Sequence, residues 1–328
     1  MKILFVTGAD LGFFNSLLVF LQSFAERLPG QALVVCDFGF VPAQAAFLSE
    51  LGVLAPRPAE LASRGVFSCK GSLLRYLRNA GQPIEAYDAV VWLDADLTLM
   101  QTGIGDFEAV VTAMQSAGAG VALCAEPGGR SLGTFIDTFS EPAKIAPFAR
   151  MIADAGLPRS LPYFSSGLFF CRAAAVPMLE HWMTLTLAVA EHPLFEQNAF
   201  NVSLLSRGGQ LVGLDCEEWQ AQGPSLDRVR LVDLGNGARP AARIGDKNIK
   251  TLHATSPSLG HLLIAHCRVT VRDRELAGPF KLFLPEALRV HQLQLLASFI
   301  LTHGERLQRL RLCTRAAEPV EGYRFVTL

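Results

Sequence analysis

Short apolar runs alternate along the chain with stretches in which apolar residues recur every three or four positions. KILFVT (2–7), ALVVCD (32–37), AVVWL (89–93), GVALCAE (120–126) and SGLFFCR (166–172) read as strands. Helical spacing covers FFNSLLVFLQSFAERL (13–28), PAQAAFLSELG (42–52), CKGSLLRYLRN (69–79) and positions 143–155, 173–190 and 195–206. The second of these has Pro at its start and Gly at its end, the usual helix punctuation. The strand runs are apolar throughout rather than alternating, as expected of strands buried on both faces. The order predicts an α/β domain with a mostly parallel sheet flanked by helices. Beyond about residue 255 the pattern turns helical, with one short strand expected at 267–271. The chain therefore divides into a domain of 1–256 and a C-terminal helical extension of 257–328.

One strand ends abruptly. After Ala89–Leu93 come Asp94 and Asp96, separated only by Ala95. Two ionised carboxylates carried toward an interior are costly unless the chain leaves the sheet there or a cation neutralises them. In an extended chain residues i and i+2 face the same way, so both acids would offer oxygen to one hard divalent ion such as Mg2+ or Mn2+. The same spacing also fits one Asp capping a turn and the other standing in water. In open α/β sheets ligands bind beyond the carboxyl ends of strands, and this pair is placed at such an end.

Composition narrows the classes. The chain has 328 residues, is 50% hydrophobic and 18% charged, and carries a net charge of −1, which suits a packed globular protein and leaves no electrostatic footprint for nucleic acid. Its seven cysteines are scattered, with no C-x-x-C pair, so they are expected to be reduced core thiols rather than a zinc site or disulfide frame. No uncharged apolar run reaches the roughly 18 residues of a membrane span, and the start, MKILFVTGAD, is too short in its apolar part for a secretion signal. The expected location is cytoplasmic. The segment 285–315 allows a peripheral contact at the inner membrane face. There an apolar face of Leu288, Leu293, Leu295, Leu296, Phe299, Ile300 and Leu301 precedes Arg306, Arg309, Arg311 and Arg315. The other reading packs this face on the protein's own core.

Taken in order, several motifs resemble the nucleotide-sugar-dependent glycosyltransferases of GT-A fold, nearest the retaining galactosyltransferase and glycogenin-like family (family 8), over roughly residues 1 to 256. They are VTGAD after the first strand, CDFGF (36–40), Lys70 in SCKGSLLRYL, WLDADLTL, YFSSGLFFCR (163–172), FEQNAFN (195–201) and IKTLHAT (249–255). The resemblance implies a GT-A fold and transfer of a sugar from a nucleotide-diphosphate donor, UDP-linked, to a hydroxyl of a glycan, glycolipid or protein, with retention. It implies Mn2+ or Mg2+ held by Asp94, Asp96 and His253. Thr7, Asp10, Lys70, Asp94, Ser166 and Gly167 would contact the donor. Glu196 and Gln197, in the first turn of a helix, would stand by the reacting sugar. Arg64 is a weaker phosphate candidate, and Ser165 a further hydroxyl partner. The remaining histidines (181, 192, 261, 266, 291 and 303) are expected to be structural.

Two departures stand out. The family's Asp before the Gln is Glu196 here, and its second acid is Asn198, which puts the identity of the donor sugar in question. The family also follows its metal His with a phosphate-binding Lys, whereas this chain reads HATSPSLGH. Lys70, Lys250 or a residue of the C-terminal tail would have to supply that charge. Two other classes compete. A sugar-phosphate nucleotidylyltransferase would need a basic, Gly-rich loop after the first strand, and VTGADLGFFN has neither Arg nor Lys. A degenerate glycan- or partner-binding module would not need the Asp94, Asp96, Gln197 and His253 set.

Overall fold

The computed structural model describes residues 1–189, 192, 194–235, 240–255 and 260–327. In its first two-thirds lie β1 (Ile3–Ala9), β2 (Ala32–Asp37), β3 (Leu54–Ala55), β4 (Ala89–Leu93), β5 (Leu97–Leu99), β6 (Val121–Ala125), β7 (Phe164–Cys171) and β8 (Leu211–Leu214). All but β5 form a seven-stranded sheet in the order β3-β2-β1-β4-β7-β6-β8. Every neighbouring pair in it is parallel except those of β7, which runs against both β4 and β6. The mostly parallel sheet flanked by helices is the architecture that the pattern predicts.

The apolar runs explain the sheet. On β1, β4 and β7 alternate residues go to opposite faces, and both faces are covered. Phe5, Val91 and Phe170 join one core, while Val6, Trp92 and Phe169 join the other. The flanking helices are α1 (Phe14–Arg27), α2 (Pro42–Glu50), α3 (Val66–Gly71), α4 (Leu73–Asn79), α5 (Ile104–Ser116), α6 (Leu132–Asp137), α7 (Pro142–Asp154), α8 (Val176–Ala188) and α9 (Phe195–Arg207). The helix expected over 69–79 is two, because Ser72 leaves helical geometry and its hydroxyl bonds back to the Ser68 carbonyl at 3.0 Å. The helix expected over 173–190 starts with a short 3-10 turn, and position 190 lies outside the described residues.

Past α9 come α10 (Cys216–Trp219), a small antiparallel sheet of β9 (Arg230–Val232), β10 (Ala241–Ile244) and β11 (Lys247–Asn248), and then β12 (Thr251–His253). Strand β12 pairs with β5, setting His253 opposite Leu97. The expected boundary at 256/257 falls in 256–259, outside the described residues.

The C-terminal extension holds more than helix. A hairpin of β13 (Leu262–Val271) and β14 (Arg274–Phe283) precedes α11 (Glu286–Arg309), and β15 (Thr314–Arg315) and β16 (Tyr323–Thr327) complete a four-stranded antiparallel sheet. The strand expected at 267–271 is only the second half of β13. The hairpin turns through Arg272, with φ at 55°, and Asp273. It lacks the Asn-Gly or Gly signal that marks such turns in a sequence.

The membrane-surface reading of this helix is not supported by its packing. Leu288, Leu293, Leu295, Leu296, Phe299 and Ile300 of the expected face are buried, Leu301 alone is exposed, and Phe299 meets the Phe47 ring at 6.0 Å. Helix α11 runs through Gly304 unbroken, and a Cβ there would stand 2.4 Å from Arg274 Cδ, so any side chain at this position would displace Arg274. Arg306 and Arg309 pair with Glu50 at 3.2 and 2.6 Å. Among the described residues no helix is long and apolar enough to cross a membrane. None of the seven cysteines, all among the described residues, is in a disulfide, and six are buried.

Candidate metal and donor site

Strand β4 stops at Leu93, and the next three residues form a turn in which the Leu97 N–H donates to the Asp94 carbonyl at 3.0 Å. Asp94 and Asp96 thus converge through a turn rather than as i and i+2 of one extended strand. From the other side β12 delivers His253. Its Nε2 lies 3.1 Å from Asp96 Oδ1 and 3.6 Å from Asp94 Oδ2. Adjacent ligands of an octahedral ion bound at about 2.1 Å stand about 3 Å apart, and one ligand atom from each of the three residues lies within 4.8 Å of the others, near enough for two hard oxygens and an imidazole nitrogen to close on one ion. This is the one group of three or more potential metal ligands that converges among the described residues.

The two acids are also balanced by ammonium groups. Lys70, on α3, places Nζ 2.9 Å from Asp94 Oδ1 and 3.7 Å from Glu196 Oε2. Lys281, on β14 and 185 residues from Asp96 in sequence, donates to Asp96 Oδ2 at 2.7 Å and to the Ala254 carbonyl at 3.2 Å. Its Nζ also sits 4.2 Å above the Phe13 ring. Burial pushes the Asp96 carboxyl up, but the charge of Lys281 and then His253, with their hydrogen bonds, outweighs it and holds Asp96 below the usual carboxylate range. Burial likewise pulls Lys70 down, and Asp94 and Glu196 together more than restore it. Asp94 is fixed further by the Trp92 Nε1–H, which donates to its Oδ1 at 2.7 Å.

Because β7 is antiparallel to β4, its N-terminal half lies at the edge where β4 ends, and the Asp94 N–H donates to the Gly167 carbonyl at 2.9 Å. That reversal brings Ser166 beside Lys70, whose Nζ donates to its Oγ at 3.1 Å. Helix α9 supplies the opposite wall. Ser166 donates to Glu196 Oε2 at 3.4 Å and to Gln197 Oε1 at 3.3 Å. Gln197 Nε2 donates to Glu126 Oε1 at 2.8 Å. Asn201 locks α9 to β7, accepting from the Phe164 N–H at 2.7 Å and donating to the Phe164 carbonyl at 2.8 Å. Asn198 accepts from the Tyr163 hydroxyl at 2.8 Å, behind the wall. Burial, with the charge of Asp94, pushes the Glu196 carboxyl up to about 7 against Lys70 and Ser166. Glu196 Oε1 is buried with no hydrogen-bond partner.

A Cβ at Gly167 would stand 2.4 Å from both His253 Cε1 and Gln220 Nε2, so the glycine makes room for those side chains. Gln220 Nε2 lies 2.6 Å from His253 Nδ1 and donates to Ser165 Oγ at 2.9 Å, while Gln220 Oε1 is buried without a partner. Turning this amide over sets Oε1 against Nδ1–H and leaves the Nε2 lone pair of His253 for a metal.

Other expected residues lie elsewhere or are otherwise engaged. Thr7 is fully buried within β1 and offers no surface to a donor. Asp10 caps the turn after β1, accepting from the Phe13 N–H at 3.1 Å. Asp37 of CDFGF closes its own turn, accepting from the Gly39 and Phe40 N–H groups, both at 2.8 Å. Arg64 is exposed, and Lys250 is paired with Asp106 at 2.6 Å. The tail is the source of the second cation, through Lys281. Glu126, Gln220 and Lys281 carry no motif. Only the folded arrangement of β6, α10 and β14 brings them to the site.

No family model matches the sequence, and no curated protein does. Similar solved structures include the apo WbbM bifunctional glycosyltransferase, at 13% identity and a TM-score of 0.48 over 78% of this chain and 46% of that one. Galactosyltransferase LgtC, in complex with donor and acceptor sugar analogs, is 15% identical with a TM-score of 0.43, covering 77% of this chain and 87% of that one. Mouse xyloside xylosyltransferase 1, apo form, is 14% identical with a TM-score of 0.42, covering 77% and 96%. This chain spans less than half the length of the first.

Proposed function

We propose that the chain is a GT-A-fold glycosyltransferase that moves a sugar from a nucleotide-diphosphate donor, UDP-linked, to a hydroxyl of a glycan, glycolipid or protein, with retention. The observation that carries this reading is the convergence of Asp94, Asp96 and His253 at the carboxyl edge of the sheet, flanked by the buried Lys70 and the partly buried Lys281. Asp94, Asp96 and His253 would hold Mn2+ or Mg2+, which when bound supplies positive charge to the diphosphate leaving group. Lys70 presents a second positive charge on the same edge. The Ser166 hydroxyl, accepting from Lys70 and donating to Glu196 and Gln197, ties together the side chains of the wall where the sugar would stand. Glu126 fixes the Gln197 amide, so that Gln197 is oriented before substrate arrives.

The lysine-balanced acids favour one alternative, a glycan-binding module in which ammonium groups permanently replace an ion. One experiment separates the two. Nucleotide sugars carrying each common base are incubated with the chain, with Mn2+ and with excess chelator, and released sugar and nucleotide are quantified. Slow, chelator-sensitive hydrolysis of one donor supports the transferase. Full activity in chelator removes the metal assignment. No hydrolysis, together with glycan binding indifferent to Mn2+, establishes the module instead.

A further inference from the structure

We infer that Lys281, reaching back from the C-terminal hairpin, makes the metal ion and the nucleotide diphosphate bind as an interdependent pair, with the ion held weakly until the diphosphate is present. The inference rests on the transferase reading of the site and adds to it the order and coupling of loading.

The argument is one of charge. Asp94 and Asp96 face Lys70 and Lys281 one for one, at 2.9 and 2.7 Å. Glu196, the remaining acid, shares Lys70 at 3.7 Å. Asp96 and Lys281 are both largely buried, with side chains 7% and 14% exposed, so water screens their interaction poorly. A free divalent ion arriving at this pair meets carboxylates already matched by ammonium groups, with Lys281 on the far oxygen of one of them. Repulsion from that ammonium offsets much of the attraction of the acids. A diphosphate arriving alone meets two lysines but also the acids beside them. When both arrive together, the negative charge of the diphosphate is shared among the ion, Lys70 and Lys281, and each ligand removes the penalty on the other. Such coupling is reciprocal by thermodynamic necessity.

Lys281 is well placed for this and poorly explained as a packing residue. Its ammonium is held by a carboxylate, a carbonyl and the Phe13 ring face, all contributed by parts of the chain outside its own hairpin. The sequence after His253 carries no lysine of its own before position 281. The extension is therefore a working part of the site.

The test is a binding cycle by titration calorimetry. The chain, Lys281→Met and Lys281→Arg are titrated with MnCl2 alone, with UDP and GDP alone, and with each diphosphate in saturating Mn2+. The wild-type chain is expected to bind Mn2+ weakly alone and at least about tenfold more tightly with its preferred diphosphate. Lys281→Met should bind Mn2+ alone about tenfold more tightly than wild type, yet bind the diphosphate in Mn2+ about tenfold more weakly, collapsing the coupling. Lys281→Arg should keep it. Opposite signs on the two ligands are not produced by a merely structural lysine, whose loss weakens both or neither. If Lys281→Met does not fold, Lys281→Gln keeps a donor toward Asp96 without the charge and is scored the same way. Coupling unchanged in the uncharged variant, or both affinities falling together, overturns the inference. A wild-type chain that binds neither diphosphate with Mn2+ instead overturns the transferase reading beneath it.

Discussion

Replacing Gly167 by alanine tests the reason given for that glycine. The added Cβ would stand 2.4 Å from His253 Cε1 and from Gln220 Nε2, whereas ordinary contact begins at 3.4 Å, so both side chains must retreat by about 1 Å. His253 cannot do so and keep its Nε2 3.1 Å from Asp96 and 3.6 Å from Asp94. Metal ligands tolerate only about 0.2 Å of misplacement, so Mn2+ affinity should fall at least about tenfold, or about 1.4 kcal/mol. Overpacking of this kind costs a further ~1–3 kcal/mol of stability. The two effects have one origin, and that gives the assay its power. In Gly167→Ala/His253→Ala the imidazole is gone and only the contact with Gln220 remains to be relieved. The double variant should therefore be less destabilised than the sum of the singles in thermal or urea melts. Mn2+ titration supplies the second readout. A Gly167→Ala chain with wild-type Mn2+ affinity and wild-type stability refutes the packing argument. A strictly additive double variant refutes the claim that His253 is the group being displaced.

Asp96→Asn and Asp94→Asn should each abolish Mn2+-dependent donor hydrolysis, but Asp96→Asn should be the more destabilising in urea melts. It leaves the partly buried Lys281 without its carboxylate, at a cost of up to about 3 kcal/mol, whereas Asp94 is 25% exposed. Equal melting losses would contradict this. Glu196→Gln tests the perturbed acid. Because the Glu196 carboxyl is raised from its ordinary 4.5 to about 7, the folded chain keeps a proton that the unfolded chain has released. This group's contribution is thus lost as pH rises from about 5 through 7, by up to roughly 3 kcal/mol. The stability of Glu196→Gln relative to wild type should improve from pH 5 to pH 8. An unchanged difference would show that Glu196 does not titrate in this range. Asn201→Ala should cost about 2–4 kcal/mol in the same melts, since it orphans both backbone groups of Phe164; a loss below 1 kcal/mol would mean that water replaces both bonds.

Much of this was legible in the sequence for physical reasons that can be named. The β4 run is apolar at all five positions because both faces are covered, so the change to acid after Leu93 marks the sheet edge sharply. His253 was legible because it ends a short strand. Lys281 was not, since a lysine in FKLF within β14 looks like any strand lysine, and only the pairing of Ile264 with Lys281 and the path of the hairpin aim it at Asp96. Gln220 and Glu126 were hidden for the same reason, each lying in a short connection after an ordinary element. The hairpin itself was hidden because Arg272 takes a left-handed conformation usually left to glycine or asparagine. At Gly167 the sequence shows that space is needed, and only the fold shows that His253 and Gln220 occupy it.

The chain has three tryptophans, and two of them are wired to this site. The Trp92 indole N–H donates to Asp94 at 2.7 Å, and the ring stacks between Phe38 and Phe169 at 6.2 and 6.4 Å. The Trp182 indole donates to the Glu196 carbonyl at 3.0 Å. Both are buried, so neither reports on bulk solvent. The protein thus carries its own optical probes of the two sides of the site. Indole emission in the ultraviolet should register a change of charge at Asp94 through one ring and a movement of the start of α9 through the other, with no label attached. Single replacement of either indole by phenylalanine would separate the two signals.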